Sequence, residues 1–163
     1  MKSEVVVRQA EPMKFERVGN LVYELLAEIY PDGGYKRDVF VETARALLTG
    51  NEGVWSFLAT THDDRDVGVV TINECAAISS GGRFGEISEL YVVPDYRSKG
   101  VGALLIDATV GFGRERGWHS IEVGTPSVPR WQRTVDFYLG HGFEEVGPRL
   151  DLQFSESVNL THI

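Results

Sequence analysis

Apolar residues recur at helical spacing in four segments of this chain, which predicts four helices. The predicted helices cover residues 13–30, 37–48, 101–116 and 131–139. Pro31-Asp32-Gly33-Gly34 separates the first two, while Gly50 and Gly117 follow the second and third. Proline and glycine commonly stand at helix ends, so these boundaries follow from the sequence itself.

Short apolar and β-branched runs between these helices predict strands. They cover residues 5–8, 54–60, 67–78, 84–93 and 120–123, and a final pair at 143–146 and 149–154 surrounds Gly147-Pro148. The order βααβββαβαββ predicts one α/β domain over residues 1–163, with helices on both faces of a mixed sheet. The sheet is expected to be mostly antiparallel, with about six or seven strands and about four helices. The polar residues 155–163 are expected to form a loosely ordered tail.

Composition narrows the possible functions. The net charge of −8 and pI near 5.0 argue against a general nucleic-acid binder, which needs a basic face, but suit a cationic substrate. No stretch approaches the roughly 20 apolar residues that cross a bilayer, and the first residues lack a signal-peptide pattern. We therefore expect a cytoplasmic protein without a membrane partner. Cys75, the only cysteine, can form no internal disulfide, and the four histidines show no metal-ligand spacing, so no metal is expected.

The segment 86–102, EISELYVVPDYRSKGVG, predicts a strand, a turn at Pro94 and a loop that opens a helix. Its loop, Arg97-Ser98-Lys99-Gly100-Val101-Gly102, has the pattern R-x-x-G-x-G. The first turn of a helix carries N–H groups without intrahelical partners at the positive end of the helix dipole. Glycine lets this backbone approach an anion closely. The sequence therefore predicts a phosphate-bearing ligand held near residue 100.

This loop and the later motif Phe137-Tyr138-Leu139-Gly140-His141-Gly142-Phe143 together resemble the GNAT superfamily of acyl-CoA-dependent N-acetyltransferases. The resemblance implies a GNAT-like fold and acetyl-CoA, released as coenzyme A, as the co-substrate. It implies that the pantetheine arm pairs with the strand backbone at Tyr91, Val92 and Val93. The pyrophosphate would lie on the loop and helix start, which here are Arg97, Ser98, Lys99, Gly100, Val101, Gly102 and Ala103.

The resemblance also implies catalytic groups. Tyr138 would be the general acid that protonates the departing thiolate, and a backbone N–H near Val92 would donate to the oxyanion. Trp131 stands where many members carry asparagine, so the resemblance does not identify the acceptor substrate.

An amine must lose a proton before it attacks, which a carboxylate near the reacting atoms can accept. Glu89 and Glu122 are equally good candidates for this base, and Glu86 ranks third. Because side chains alternate along a strand, Glu86 and Glu89 are expected on opposite faces unless a bulge intervenes.

These observations predict an N-acetyltransferase that moves an acetyl group from acetyl-CoA to a primary amine by direct attack in a ternary complex. The expected acceptor is a small-molecule amine, and a protein or peptide amine stays open, as does the choice between monomer and homodimer. A non-catalytic acyl-CoA-binding sensor or assembly module is the alternative, but Tyr138 and the glutamates favour an enzyme. Neither G-x-x-x-x-G-K-[ST] nor a G-x-G-x-x-G after a strand occurs, which disfavours a nucleotide-dependent enzyme.

Overall fold

The computed structural model describes residues 4–126 and 130–154, which fall into two compact units. The first unit reaches Glu122 and the second begins at Val123. The helices and strands are β1 (Val5–Gln9), α1 (Phe15–Ile29), α2 (Arg37–Thr49), β2 (Val54–Thr61), β3 (Asp66–Ala77), β4 (Gly82–Val92), α3 (Val101–Arg116), β5 (Ile121–Val123) and α4 (Gln132–Gly140). The four predicted helices and the first five predicted strands are therefore confirmed, with boundaries shifted by one or two residues.

The strands form one sheet in the order β1-β2-β3-β4-β5. The first four strands are antiparallel to their neighbours. Approaching β5, the His119 N–H donates to the Arg83 carbonyl at 3.3 Å, and the Gly85 N–H donates to the Ser120 carbonyl at 3.0 Å. Residue numbers rise together along both segments, so β5 runs parallel to β4. The sheet is mixed and mostly antiparallel, as predicted.

The predicted final strand pair does not form. Residues 143–154 contain no helix or strand, so the described sheet has five strands rather than six or seven. The alternating apolar residues that predicted these strands are exposed: Val146, Leu150, Leu152 and Phe154. Alternation produces a strand only where one face can be buried, and Pro148 has no N–H to donate to a ladder. The predicted tail at 155–163 lies outside the described residues.

Helices cover both faces of the sheet in the first unit. On one face α1 packs on β3 and β4, and α2 packs on β2. On the other face α3 packs across β1 to β4, where a Cβ on Gly68 would lie 3.2 Å from Leu105 and Val101. Val69 and Ile72 of β3 are completely buried because helices cover both sides of this strand.

Trp118 fills the space beside the start of β4. A Cβ on Gly85 would lie only 2.2 Å from Cζ3 of this indole, so glycine is required there. The indole N–H donates to Glu74 at 2.6 Å, and Glu74 also accepts from Nε of Arg116 at 3.0 Å. This contact fixes the approach to β5 against β4.

Within the described residues, none of the helices is both long and apolar enough to cross a membrane.

Candidate active site

A bulge in β4 determines where its glutamates point. In the ladder with β3, Glu89 lies opposite Thr71, and Ile87 lies opposite the next residue, Ile72. Ser88 is therefore an extra residue on β4, which is the definition of a β-bulge. Such a bulge shifts the side-chain alternation of every residue that follows it.

Because of this bulge, Glu86 and Glu89 lie on the same face of the sheet. Glu86 pairs with Asn73 and Glu89 with Thr71, and these two partners are two residues apart on β3. A bulge does intervene, so the two glutamates are not on the opposite faces that regular alternation would give. Tyr91 lies two residues beyond Glu89 and faces α1, where its phenol is influenced by the charges of Glu28 and Glu24. The two glutamates consequently point toward the α1 side of the sheet.

The carboxylate of Glu89 is half-buried and bonded to a neighbouring strand. The Thr71 hydroxyl donates to its Oε2, and the backbone N–H of Glu89 donates back to the same hydroxyl at 3.1 Å. Burial raises the pKa of Glu89 to about 7, because removal from water disfavours the charged form. A carboxyl group that titrates near neutral pH is suited to accepting a proton during a reaction.

The other two candidate bases lie in different surroundings. Glu122 is exposed on β5, so it lacks the burial that acts on Glu89. Glu86 is half-buried and pairs with Asn73 of β3, which lies two residues from Thr71, the partner of Glu89. The structure brings Glu86 and Glu89 to one face, and burial distinguishes Glu89 from Glu122.

The backbone of Val92 faces away from β3. The Val93 N–H donates to the Val67 carbonyl at 3.0 Å, so Val93 and Val67 form a hydrogen-bonded pair. In an antiparallel ladder the neighbouring pair, here Val92 and Gly68, then points its N–H and C=O groups outward. By the same alternation the peptide groups of Tyr91 face β3.

The edge toward which Val92 points is only partly covered. The strand β5 has three residues and β4 has eleven. Because Ser120 lies beside Gly85 and the strands are parallel, β5 ends before the level of Val92. Of the predicted pantetheine-binding residues, Val92 is thus the one whose N–H lies at an open edge within the first unit, while its carbonyl accepts a hydrogen bond from Nε of Arg97 at 2.9 Å. The Val93 N–H and the Tyr91 backbone face β3.

The N-terminus of α3 follows shortly after this edge. Gly100 begins the helix with φ of 84°, in the left-handed region, and a Cβ there would meet open space. No side chain caps this helix end. The N–H groups of Val101, Gly102 and Ala103 therefore form the first turn of a helix whose positive end is open to an anion.

The two cations of the loop bind protein groups. Lys99 donates to the carbonyl of Asp95 at 2.8 Å and lies 5.2 Å from the ring centre of Tyr96. Arg97 forms two hydrogen bonds with Glu28 of α1, at 2.8 and 2.7 Å. The structure therefore places both predicted cations in the loop, but directs the Arg97 guanidinium toward α1.

In the second unit, Tyr138 is a buried residue of α4. Its ring packs edge-on against Phe137 and Phe143, with ring centres 5.3 and 5.4 Å away. Burial raises the pKa of the Tyr138 phenol, so this group keeps its proton at neutral pH and can act as a donor.

Thr71 and Glu28 contact predicted site residues, but sequence reasoning did not identify either of them. Thr71 belongs to an apolar strand run, and its importance depends on the Ser88 bulge. Glu28 lies on an amphipathic helix, where a polar residue ordinarily faces water. No local pattern could have revealed these two contacts, because both are made between distant segments.

Within residues 4–126 and 130–154, no cluster of three or more His, Cys, Asp or Glu side chains could hold a metal ion.

Comparison with known proteins decides the family. The sequence model of the acetyltransferase (GNAT) family matches residues 19–143, well over half of the chain. The chain belongs to the GNAT family of acetyltransferases. This confirms the resemblance drawn from the two sequence motifs.

Individual proteins resemble this chain either in sequence or in fold. An uncharacterized N-acetyltransferase of Methanocaldococcus jannaschii is 36% identical over 62 residues, which are 37% of this chain. The chain thus spans about a quarter, 26%, of that curated relative's length. A ribosomal-protein-alanine N-acetyltransferase from Brucella melitensis biovar Abortus 2308 has a TM-score of 0.72 and 20% identity, over 93% of this chain and 100% of that one.

A third similar protein was solved with a ligand. AAC(6′)-Iy, in complex with the bisubstrate analogue CoA-S-monomethyl-acetylneamine, has a TM-score of 0.72 and 19% identity. The superposition covers 94% of this chain and 99% of AAC(6′)-Iy. At such identities the two solved structures establish the fold, and the expected GNAT-like α/β fold is therefore confirmed.

Proposed function

We propose that the protein transfers an acetyl group from acetyl-CoA to a primary amine, by direct attack of the amine in a ternary complex. The observation that carries the proposal is the arrangement along β4. The half-buried Glu89, whose pKa is about 7, precedes the open backbone edge at Val92 on the same strand. The anion-binding start of α3 follows a short loop later.

The cofactor is held mainly by backbone groups. The N–H groups of Val101, Gly102 and Ala103, with the positive end of the α3 dipole, bind the pyrophosphate. Gly100 leaves room for this approach, since a side chain there would stand in the open space before the helix. The pantetheine arm runs along the edge of β4 at Val92 and carries the thioester toward Glu89.

The chemistry then proceeds through groups of this chain. An alkyl ammonium has a pKa of about 10, so the acceptor must lose a proton, and Glu89 takes it directly or through a water molecule. The free amine attacks the thioester carbonyl and forms the C–N bond, while the Val92 N–H donates to the oxyanion. Collapse of this intermediate breaks the C–S bond. The CoA thiolate leaves and receives a proton from Tyr138, while the second proton that the attacking nitrogen loses as the amide forms returns through water to the Tyr138 phenolate.

A small cationic amine is the proposed acceptor class. The chain carries a net charge of −8, and acidic surfaces attract cationic substrates. The bisubstrate analogue bound by AAC(6′)-Iy joins CoA to acetylneamine in one molecule. This supports direct transfer within a ternary complex as the mechanism proposed here.

The test is a screen of amines for release of free CoA thiol from acetyl-CoA, with acetylated products identified by mass. Diamines, aminoglycosides, amino acids and peptides with a free N-terminus form the panel, and each amine without protein is its control. We expect thiol release with small amines that carry more than one positive charge. Binding of acetyl-CoA without turnover of any amine would favour the non-catalytic sensor instead.

A further inference from the structure

An ion pair joins the C-terminal part of α1 to the loop after β4. Arg97 Nη1 donates to Glu28 Oε1 at 2.8 Å, and Nη2 donates to Oε2 at 2.7 Å. This bidentate geometry is the strongest form of an arginine–carboxylate pair. The two residues are 69 positions apart in the sequence, so the pair fixes tertiary geometry rather than a local turn.

A third bond connects the same guanidinium to the strand edge. Arg97 Nε donates to the Val92 carbonyl at 2.9 Å. Val92 is the residue whose backbone faces the open edge of β4. The guanidinium therefore links α1, the edge of β4 and the loop 97–103, and we call these three bonds the Glu28 clamp.

Glu28 is ionised in the clamp and balances the positive charge of Arg97. Hydrogen bonds from Arg97 lower the pKa of Glu28, which keeps the carboxylate ionised beside the cation. The guanidinium carbon of Arg97 also lies 5.6 Å from the ring centre of Tyr91. Both charged side chains are about two-fifths exposed, and a single ion pair so exposed contributes little. Three bonds from one planar group to two elements make a more rigid arrangement.

We propose that Glu28 is a positioning residue for the cofactor: it holds Arg97 on the Val92 carbonyl, and Arg97 shapes the loop instead of serving as a phosphate ligand. This inference rests on one part of the proposed function, namely that residues 97–103 bind acetyl-CoA. The resemblance placed Arg97 among the residues that would hold the pyrophosphate, but Glu28 neutralises its charge. The backbone N–H groups of α3 then remain the main phosphate ligands.

The first test needs no cofactor. Hydrogen–deuterium exchange is measured on the unliganded protein, comparing Glu28→Gln with Glu16→Gln. Glu16 is exposed in the first turn of the same helix, so this control makes the same change in net charge. We expect about five- to tenfold faster exchange in residues 92–103 for Glu28→Gln only. Unchanged exchange in that segment would overturn the clamp, whether or not the protein binds CoA.

The second test separates a clamp from a phosphate ligand by CoA affinity. Arg97→Lys keeps the positive charge but cannot form the bidentate pair and the Val92 bond together. The clamp predicts that Arg97→Lys, Arg97→Met and Glu28→Gln each weaken CoA binding about five- to tenfold. It also predicts that Glu28→Gln combined with Arg97→Lys is no worse than either alone.

A phosphate ligand gives the opposite pattern. Arg97→Lys would then bind CoA nearly as well as the unmodified protein, and Glu28→Gln would bind it more tightly because the charge is released. Either result overturns the proposal. Circular dichroism confirms that each variant is folded. If the unmodified protein fails to bind CoA, the proposed function is contradicted, and the exchange measurement alone decides on the clamp.

Discussion

Glu89 is the residue on which the proposed chemistry depends most. It is half-buried on the α1 side of β4, its carboxylate accepts a bond from Thr71, and its pKa is about 7. A base with a pKa near the working pH is ionised often enough to act and basic enough to accept a proton. From the sequence alone, Glu89 and Glu122 were equal candidates for the base, because burial and the bulge at Ser88 are properties of the folded chain.

Replacing Glu89 by glutamine is expected to lower kcat about 10²–10³-fold while CoA affinity is unchanged. The kcat/KM of the unmodified enzyme should rise with pH through about 7, since Glu89 must be ionised, and the variant should lose this rise. Steady-state kinetics between pH 5 and 9 measure both effects. A loss of the same size in Glu122→Gln, with Glu89→Gln fully active, would transfer the role of base to Glu122.

The same pKa predicts a pH-dependent stability difference that needs no substrate. The folded-state pKa of Glu89 lies above its ordinary value of 4.5, so the native state holds this proton more tightly than the unfolded chain. The stability linked to the group is fully present below about pH 4.5 and is lost as pH rises through about 7. The Tm of the unmodified protein should therefore fall relative to that of Glu89→Gln over this window. Parallel Tm curves would show that the site is not desolvated.

Tyr138→Phe tests the proposed acid. The ring keeps its packing against Phe137 and Phe143, so the fold and acetyl-CoA affinity should be retained. Turnover should fall about 10²-fold or more, because the thiolate loses its proton donor. Binding measured by calorimetry and turnover measured by thiol release separate the two effects. Unchanged turnover would remove Tyr138 from the mechanism.

Among the elements, β4 and α3 build the proposed cofactor site, and both could be predicted from the sequence. Glycine and proline signals located the loop, and helical spacing located α3 over residues 101–116. The bulge could not be predicted, because Ser88 is an ordinary strand residue whose hydroxyl bonds to Asn73 only across the ladder. The final strand pair was predicted wrongly, since alternation alone does not show whether a buried face exists.

Gly100→Asp tests the anion site at the start of α3. A carboxylate there would stand in the open space before the helix and repel the pyrophosphate, so CoA binding should be abolished. Gly100→Asn is the matched control, because asparagine has the same shape and also tolerates the left-handed φ of 84°. Calorimetry should show measurable CoA binding for the asparagine variant only. Equal affinities in the two variants would mean that no phosphate lies there.

For the whole molecule, the order of helices and strands and the GNAT family were available from the sequence, whereas long-range contacts were not. The pair of Glu28 and Arg97 joins segments whose local patterns indicate only a polar helix surface and a loop. The same holds for Glu89 and Thr71, which meet across two strands. Such contacts depend on how elements pack, and one sequence encodes them only through the complete fold.

Calorimetric titration of the unmodified protein with acetyl-CoA, CoA, ATP and NAD shows whether the loop and the edge of β4 form an acetyl-CoA site. All four ligands carry a phosphate chain that could approach the start of α3, but only acetyl-CoA and CoA have a pantetheine arm for the edge at Val92. We expect micromolar binding of acetyl-CoA and CoA and no comparable binding of ATP or NAD. Absence of binding by both acetyl-CoA and CoA would contradict the proposed acetyltransferase function.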